Sequence, residues 1–190
     1  MFTKTAKQLV AHMEENQIIK SEDRELYIYG LNQGLSILLN LATALGIGLL
    51  FDSFFQLVVF MTAYIPLRSY AGGYHAKTPL RCYIISVVIL IIVSISVKYV
   101  VLEILTYFII AFISMTIIAF FSPVGDSNKP LDKIEIMVYK KRARIILLIE
   151  MTADALSFFL GWDLLLISIS YVLLTISILL LIGKIKHITE

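Results

Sequence analysis

The sequence predicts an all-α, polytopic membrane bundle of about six membrane segments, two of them short, with an amphipathic interfacial helix in front. Three observations predict it. Hydrophobic residues make up 59% of the 190 and mean hydropathy is +0.88, far above a soluble domain, so much of the apolar surface must face lipid. Long runs without a charged residue recur along the chain, as bilayer-crossing helices require. Lys and Arg gather in alternate connections between those runs, the pattern of the positive-inside rule. A single Cys excludes an intrachain disulfide framework. No repeat or low-complexity linker divides the chain, so residues 1–190 are expected to form one domain.

Residues 1–25 place Phe2, Ala6, Leu9, Val10 and Met13 at helical spacing, with Lys4, Lys7, Gln8 and His12 between them. This reads as an amphipathic helix on the membrane surface. No apolar core follows the first lysines, so a cleavable signal peptide is not expected. The acidic cluster Glu14, Glu15, Glu22, Asp23 and Glu25 faces water. From Leu26 to Phe51 there is no charge, more than the ~20 residues a crossing helix needs; Gly30, Gly34, Gly46 and Gly48 within it point to close helix contacts. Ser53 to Leu67 and Cys82 to Val97 are two further uncharged runs, flanking a polar stretch from Arg68 to Arg81. As helices they reach roughly 23 to 24 Å against a ~30 Å hydrocarbon core. The stretch between them is therefore expected to dip below the headgroups and line a protein cavity.

Ile104 to Phe121 makes a fourth span and ends at Ser122-Pro123. A basic loop is expected over 122–144, with Lys129, Lys133, Lys140, Lys141, Arg142 and Arg144 offset by Asp132 and Glu135. Topology accounts for those charges, and binding of acidic lipid or docking of an acidic peptide is compatible with them. Ile145 to Trp162 is interrupted by Glu150 and Asp154, four apart and so on one helix face. Acids within a span are costly, so both are expected to face the bundle interior. Leu164 to Gly183 is the last span, closed by Lys184 and Lys186. In this layout every Lys and Arg except Lys98 falls on one side, which the positive-inside rule assigns to the cytoplasm together with both termini and both polar loops. A thiol there stays reduced.

The polar stretch carries the chemistry. It holds the only Cys, Cys82, and one of three His, His75, which follows Gly72-Gly73. A thiolate attacks carbonyls, whereas a free thiol with a pKa near ~8.5 is mostly protonated at neutral pH; an imidazole can take that proton. Continuous helix would hold His75 and Cys82 roughly 10 Å apart, so the chain must bend between them. Thr78-Pro79 supplies the bend, with Thr78 as N-cap and Pro79 as the first helical residue. Cys82 then lies in the first turn, where the positive end of the helix dipole and Arg81 favour the thiolate. Gly72 and Gly73 permit positive φ and close approach of a substrate chain, and their backbone amides are candidates for an oxyanion hole.

Arg68, then Ala71-Gly72-Gly73-Tyr74-His75-Ala76, then Cys82 seven residues after the His, resemble the signature of the accessory gene regulator B (AgrB) family of membrane cysteine endopeptidases. Ser122-Pro123-Val124-Gly125-Asp126-Ser127-Asn128-Lys129-Pro130 is similar to that family's proline- and asparagine-containing loop, with Gly125 where an acidic residue is usual. The resemblance covers essentially the whole chain. It implies His75 and Cys82 as the catalytic pair and Arg68, Gly72 and Gly73 as its supporting loop. It further implies cleavage of a membrane-associated, AgrD-like propeptide through a Cys82 thioester, yielding a thiolactone peptide intermediate for quorum sensing in a Gram-positive cell membrane. Lys129, Lys133, Lys140, Lys141 and Arg142 become docking candidates for the propeptide's acidic tail. Asp126, Asn128, Glu150 and Asp154 stay open as a third member of the site. The implied partners are the propeptide, the bilayer and a homodimeric copy; no cofactor, metal or nucleic acid is expected. The residues also admit a small transporter or exporter subunit, with Glu150 and Asp154 in a polar pathway and His75 as a proton relay. A scaffold without chemistry would leave the Gly-Gly-His loop without a purpose.

Overall fold

The computed structural model describes residues 2–74, 76, 78–125 and 132–189. Through them run α1 (Thr3–Glu15), α2 (Arg24–Leu50), α3 (Phe54–Ala71), α4 (Pro79–Tyr99), α5 (Ile104–Phe121), α6 (Lys133–Leu160) and α7 (Asp163–Thr189). Among the described residues the only other regular features are a 3-10 turn at Ser21–Asp23 and an isolated bridge between Gly72 and Val124. Among the described residues four stretches are long and apolar enough to cross a membrane: Ser21–Leu50, Pro79–Tyr99, Ile104–Phe121 and Asp163–Lys186. Helices α3 and α6 complete the bundle while carrying charge at one end. Leu50, Phe120 and Phe159 are about four-fifths exposed, which is costly in water and natural against lipid tails.

The uncharged cores on either side of the polar stretch sit inside longer helices. α3 has 18 residues and α4 has 21, about 27 and 32 Å at the usual rise. Helix α3 continues through Arg68 to Ala71, and α4 starts at Pro79. The basic run is a correction to the expected loop: from Lys133 onward it is helix. Asp132 accepts a hydrogen bond from the Glu135 amide at 2.6 Å, and the Glu135 carboxylate accepts one from the Asp132 amide at 3.2 Å. This capping box satisfies amides that would otherwise be orphaned at the start of α6. At the other end, Gly161 closes α6 in the left-handed conformation, φ +68°.

Helix α7 is the axis of the bundle. Of its most apolar stretch, 56% is buried, against 17% for each of α2 and α4. Leu166, Val172, Ile176 and Leu180 are fully covered, the last three packed with Leu67 of α3, Ile118 of α5 and Leu147 of α6. Small polar residues, not the expected glycines, line many close contacts. Ser94, Ser114, Ser157, Ser168, Ser170 and Ser177 are all buried, and a serine lets helices approach while its hydroxyl can bond a backbone carbonyl. A Cβ at Gly30, Gly34 or Gly46 would touch nothing within 4 Å, so those three do not pack within the chain; only Gly48 does, against the Phe54 backbone. Helix α1 turns back on α2: Ala6 and Val10 pack with Ile19 and Ile28, and the Phe2 amide donates to Asn32 Oδ1 at 2.9 Å. Leu9 stays exposed on the face left for the interface. Lys98, the one cation assigned to the far side, pairs there with Asp52 at 3.0 Å.

Candidate active site

The polar stretch is held by three elements. Arg68, on the last turn of α3, turns its guanidinium back on the chain, donating to the carbonyl oxygens of Gly72 and Tyr74. The Gly73 amide donates to the Val124 carbonyl at 3.2 Å, and the Val124 amide to Ala71 O at 3.0 Å. The two polar loops, about fifty residues apart in sequence, are thereby zipped together. The Tyr74 amide donates to Leu179 O of α7 at 2.9 Å. Gly72 has φ +72° and Gly73 +111°, backbone that side chains rarely adopt. Their glycines are also required by space, since a Cβ at Gly72 would run into the Val124 backbone and one at Gly73 would lie 2.9 Å from Leu179 O.

These bonds overturn one expectation. The amides of Gly72, Gly73 and Tyr74 are all occupied, by Arg68 O, Val124 O and Leu179 O, so the glycine pair does not offer an oxyanion hole. Its backbone polarity goes into fixing the loop, because a buried turn must pair its own amides.

The bend before Cys82 forms as its residues dictate. Thr78 is extended, its hydroxyl accepts from the Arg81 amide at 3.4 Å, and Pro79 opens α4. Cys82 is exposed, and its amide donates to Thr78 O at 3.0 Å, the first helical bond of α4. Its side chain lines a cavity of about 270 Å³ between α2, α3 and α4. Polar groups converge near it: Gln33 and Asn40 from α2, Tyr64 and Arg68 from α3, Ser86 from α4. The rest of the lining is apolar, including Ile37, Phe60, Ile85 and Leu90. An exposed thiol at the rim of an apolar cleft with a few convergent polar groups has the usual form of a small-substrate site.

Residues 6–186 match the family model for accessory gene regulator B. The chain belongs to the AgrB family. An AgrB-like protein of Clostridium perfringens (strain SM101 / Type A) is 27% identical over 156 residues, covering 76% of this chain and 73% of that protein. No solved structure matches. Membership in AgrB, with four helices able to cross a bilayer, makes this a membrane protein of the quorum-sensing, AgrB type.

Of the AgrB site residues expected from sequence, the structure brings together Arg68, Gly72, Gly73 and Cys82. His75, Lys129, Asp126 and Asn128 lie outside the described residues. Lys133, Lys140 and Lys141 are exposed on the first turns of α6, while Arg142 donates to the Tyr70 hydroxyl at 3.0 Å and stacks on its ring, tying α6 to the end of α3. Glu150 and Asp154 are buried as expected, 5% and 3% exposed, but on α6, away from the cavity. Asp154 accepts from Ser170 Oγ at 3.5 Å, and neither Glu150 oxygen has a hydrogen-bond partner among the described residues. Among those residues no group of three or more His, Cys, Asp or Glu could hold a metal.

Several contributors were missed in the sequence. Gly183 of α7 presses on the loop: a Cβ there would stand 2.5 Å from the Tyr74 amide and 2.7 Å from the Gly73 carbonyl carbon. Lys184 lies over the Phe121 ring at 4.0 Å and Lys186 over Tyr74 at 5.4 Å, adding positive charge beside the loop. Tyr64 had a legible signal, standing four residues before Arg68 and so on the same helix face.

Proposed function

We propose that the protein is a cysteine endopeptidase, one domain over residues 1–190, that cuts an AgrD-like propeptide at the membrane through an acyl thioester on Cys82. The observation that carries this reading is the exposed Cys82 thiol on the first turn of α4, at the rim of the cavity facing Arg68 and its clamped loop. His75 takes the thiol proton. The sulfur attacks a peptide carbonyl carbon; a C–S bond forms and the C=O π pair moves to oxygen. Collapse restores the carbonyl and breaks the C–N bond, and the leaving amine takes its proton from the imidazolium. A thiol of the bound peptide then attacks the thioester, freeing Cys82 and closing a thiolactone. That exchange is nearly balanced in energy, whereas hydrolysis runs far downhill, so the apolar lining serves by keeping water out. Lys133, Lys140 and Lys141, with Lys129 before them, form the dock for an acidic propeptide tail. Both loops and both termini face the cytoplasm of a Gram-positive cell, and a homodimer is the assembly the family implies.

The test is intact mass spectrometry of the protein in liposomes after addition of an AgrD-like propeptide. The expected result is an acyl adduct on Cys82 that hydroxylamine removes, absent from Cys82→Ala and His75→Ala. No adduct and no released tail would turn the reading to the transporter, with Glu150 and Asp154 as its polar residues.

A further inference from the structure

We infer that Tyr64 is the oxyanion donor of this site: its phenolic O–H points into the Cys82 cavity and hydrogen-bonds the carbonyl oxygen that turns negative when the thiolate attacks. The assignment rests on the acyl-transfer reading of Cys82. Attack on a carbonyl places charge on oxygen, and a fixed donor aimed at that charge is commonly among the largest contributions to rate. The glycine-pair amides are occupied, so the donor must come from elsewhere. Side chains lining the cavity beside Cys82 are the next source. Several are held to other tasks: Ser69 and Ser86 spend their single O–H on Ile65 O at 2.7 Å and Cys82 O at 3.1 Å, Asn40 spends an amide N–H on Ser36 O at 2.8 Å, and the Arg68 guanidinium is turned to the Gly72 and Tyr74 carbonyls.

Tyr64 differs in what it can offer. It lines the same cavity as Arg68 and Cys82 and stands one helical turn before Arg68 on α3. A guanidinium can only donate, so toward Arg68 the phenol oxygen can only accept and its O–H remains available. A cation on the same helix face polarises the hydroxyl and strengthens it as a donor. The ring cannot swing away, because it stacks on Phe60 with centroids 5.2 Å apart and planes 14° from parallel. Phe60, Tyr64 and Arg68 follow one another at four-residue intervals, so one face of α3 supplies the stacking platform, the donor and the clamp.

The experiment compares two probes of Cys82 on the full protein in liposomes. Iodoacetamide alkylates the thiolate without forming an oxyanion; p-nitrophenyl butyrate acylates the same sulfur through one and releases p-nitrophenolate. In Tyr64→Phe, which keeps the ring and its stack, the nitrophenolate burst is expected to slow about 10²-fold, the scale of losing one oxyanion donor. The butyrate concentration at half-maximal rate and the iodoacetamide rate should stay within about twofold, because thiolate formation is untouched. An unchanged burst overturns the assignment, and so does an equal fall with both probes, which would mean that Tyr64 acts through the thiol or the fold. A burst that survives in Cys82→Ala, or none in the wild type, instead overturns the cysteine reading and this inference with it.

Discussion

The two sides of the bundle are built on different terms. Around α7, helices α3, α5 and α6 interlock through fully covered Leu, Ile and Val with buried serines between them. On the α2–α4 side burial is thinner, a cavity of about 270 Å³ remains open, and a cross-helix hydrogen bond joins Thr43 Oγ1 to Tyr83 Oη at 2.8 Å. Cys82 sits on the loose side, whereas the loop that faces it is fastened to the tight side through Val124 and Leu179. The contrast teaches how a membrane protein can keep an open space next to a fixed loop: the tightly packed core holds the polar backbone, and the peripheral helix carries the thiol.

Breaking the fastening should have the largest effect. Gly72→Ala forces a side chain into the Val124 backbone at a positive φ. We expect propeptide cleavage to fall by at least about 10²-fold, as misplacement near reacting atoms typically costs, measured as released tail per unit of inserted protein. Next comes the core itself. Leu173→Ala, in a residue 1% exposed, should destabilise by about 2–5 kcal/mol, while Leu41→Ala on the cavity wall should cost well under half as much; thermal unfolding in detergent checks the pair, and equal losses would erase the contrast. Thr78→Ala removes the α4 cap and should cost about 1 kcal/mol, with slower alkylation of Cys82. The smallest effect is expected on the tight side's own acids: Glu150→Gln should leave cleavage within about twofold of wild type, since a neutral amide suits a buried, unpaired position at least as well as a carboxyl group does. Abolished function there, with Cys82→Ser still active, would favour the transporter.

Much of this was legible in the chain. The run from Ile104 to Phe121 returns as α5 with the same limits, because eighteen uncharged, mostly apolar residues in lipid leave the backbone no option but its own helix. Thr78 and Pro79 open α4 as their chemistry requires. Glu150 and Asp154 turn inward because lipid excludes them. Less legible was the start of α6: its lysines and arginines resemble a cytoplasmic loop, and a helix at the headgroup boundary tolerates them because long cationic side chains reach out to water.

Sequence alone determined the all-helical membrane architecture, the position of the thiol at a helix start and its AgrB resemblance, all of which rest on local chemistry: hydropathy, caps and motif spacing. Tertiary structure decided what the polar loop does with its hydrogen bonds. Gly73 meets Val124 and Tyr74 meets Leu179 across distances in the chain that no window spans. Whether an amide is free to serve a substrate depends on what lies opposite it, and here a second loop and the end of α7 do. The same packing placed Gly183 against the loop and brought Tyr64 of α3 and Cys82 of α4 to one cavity, neighbours that lie far off in the chain.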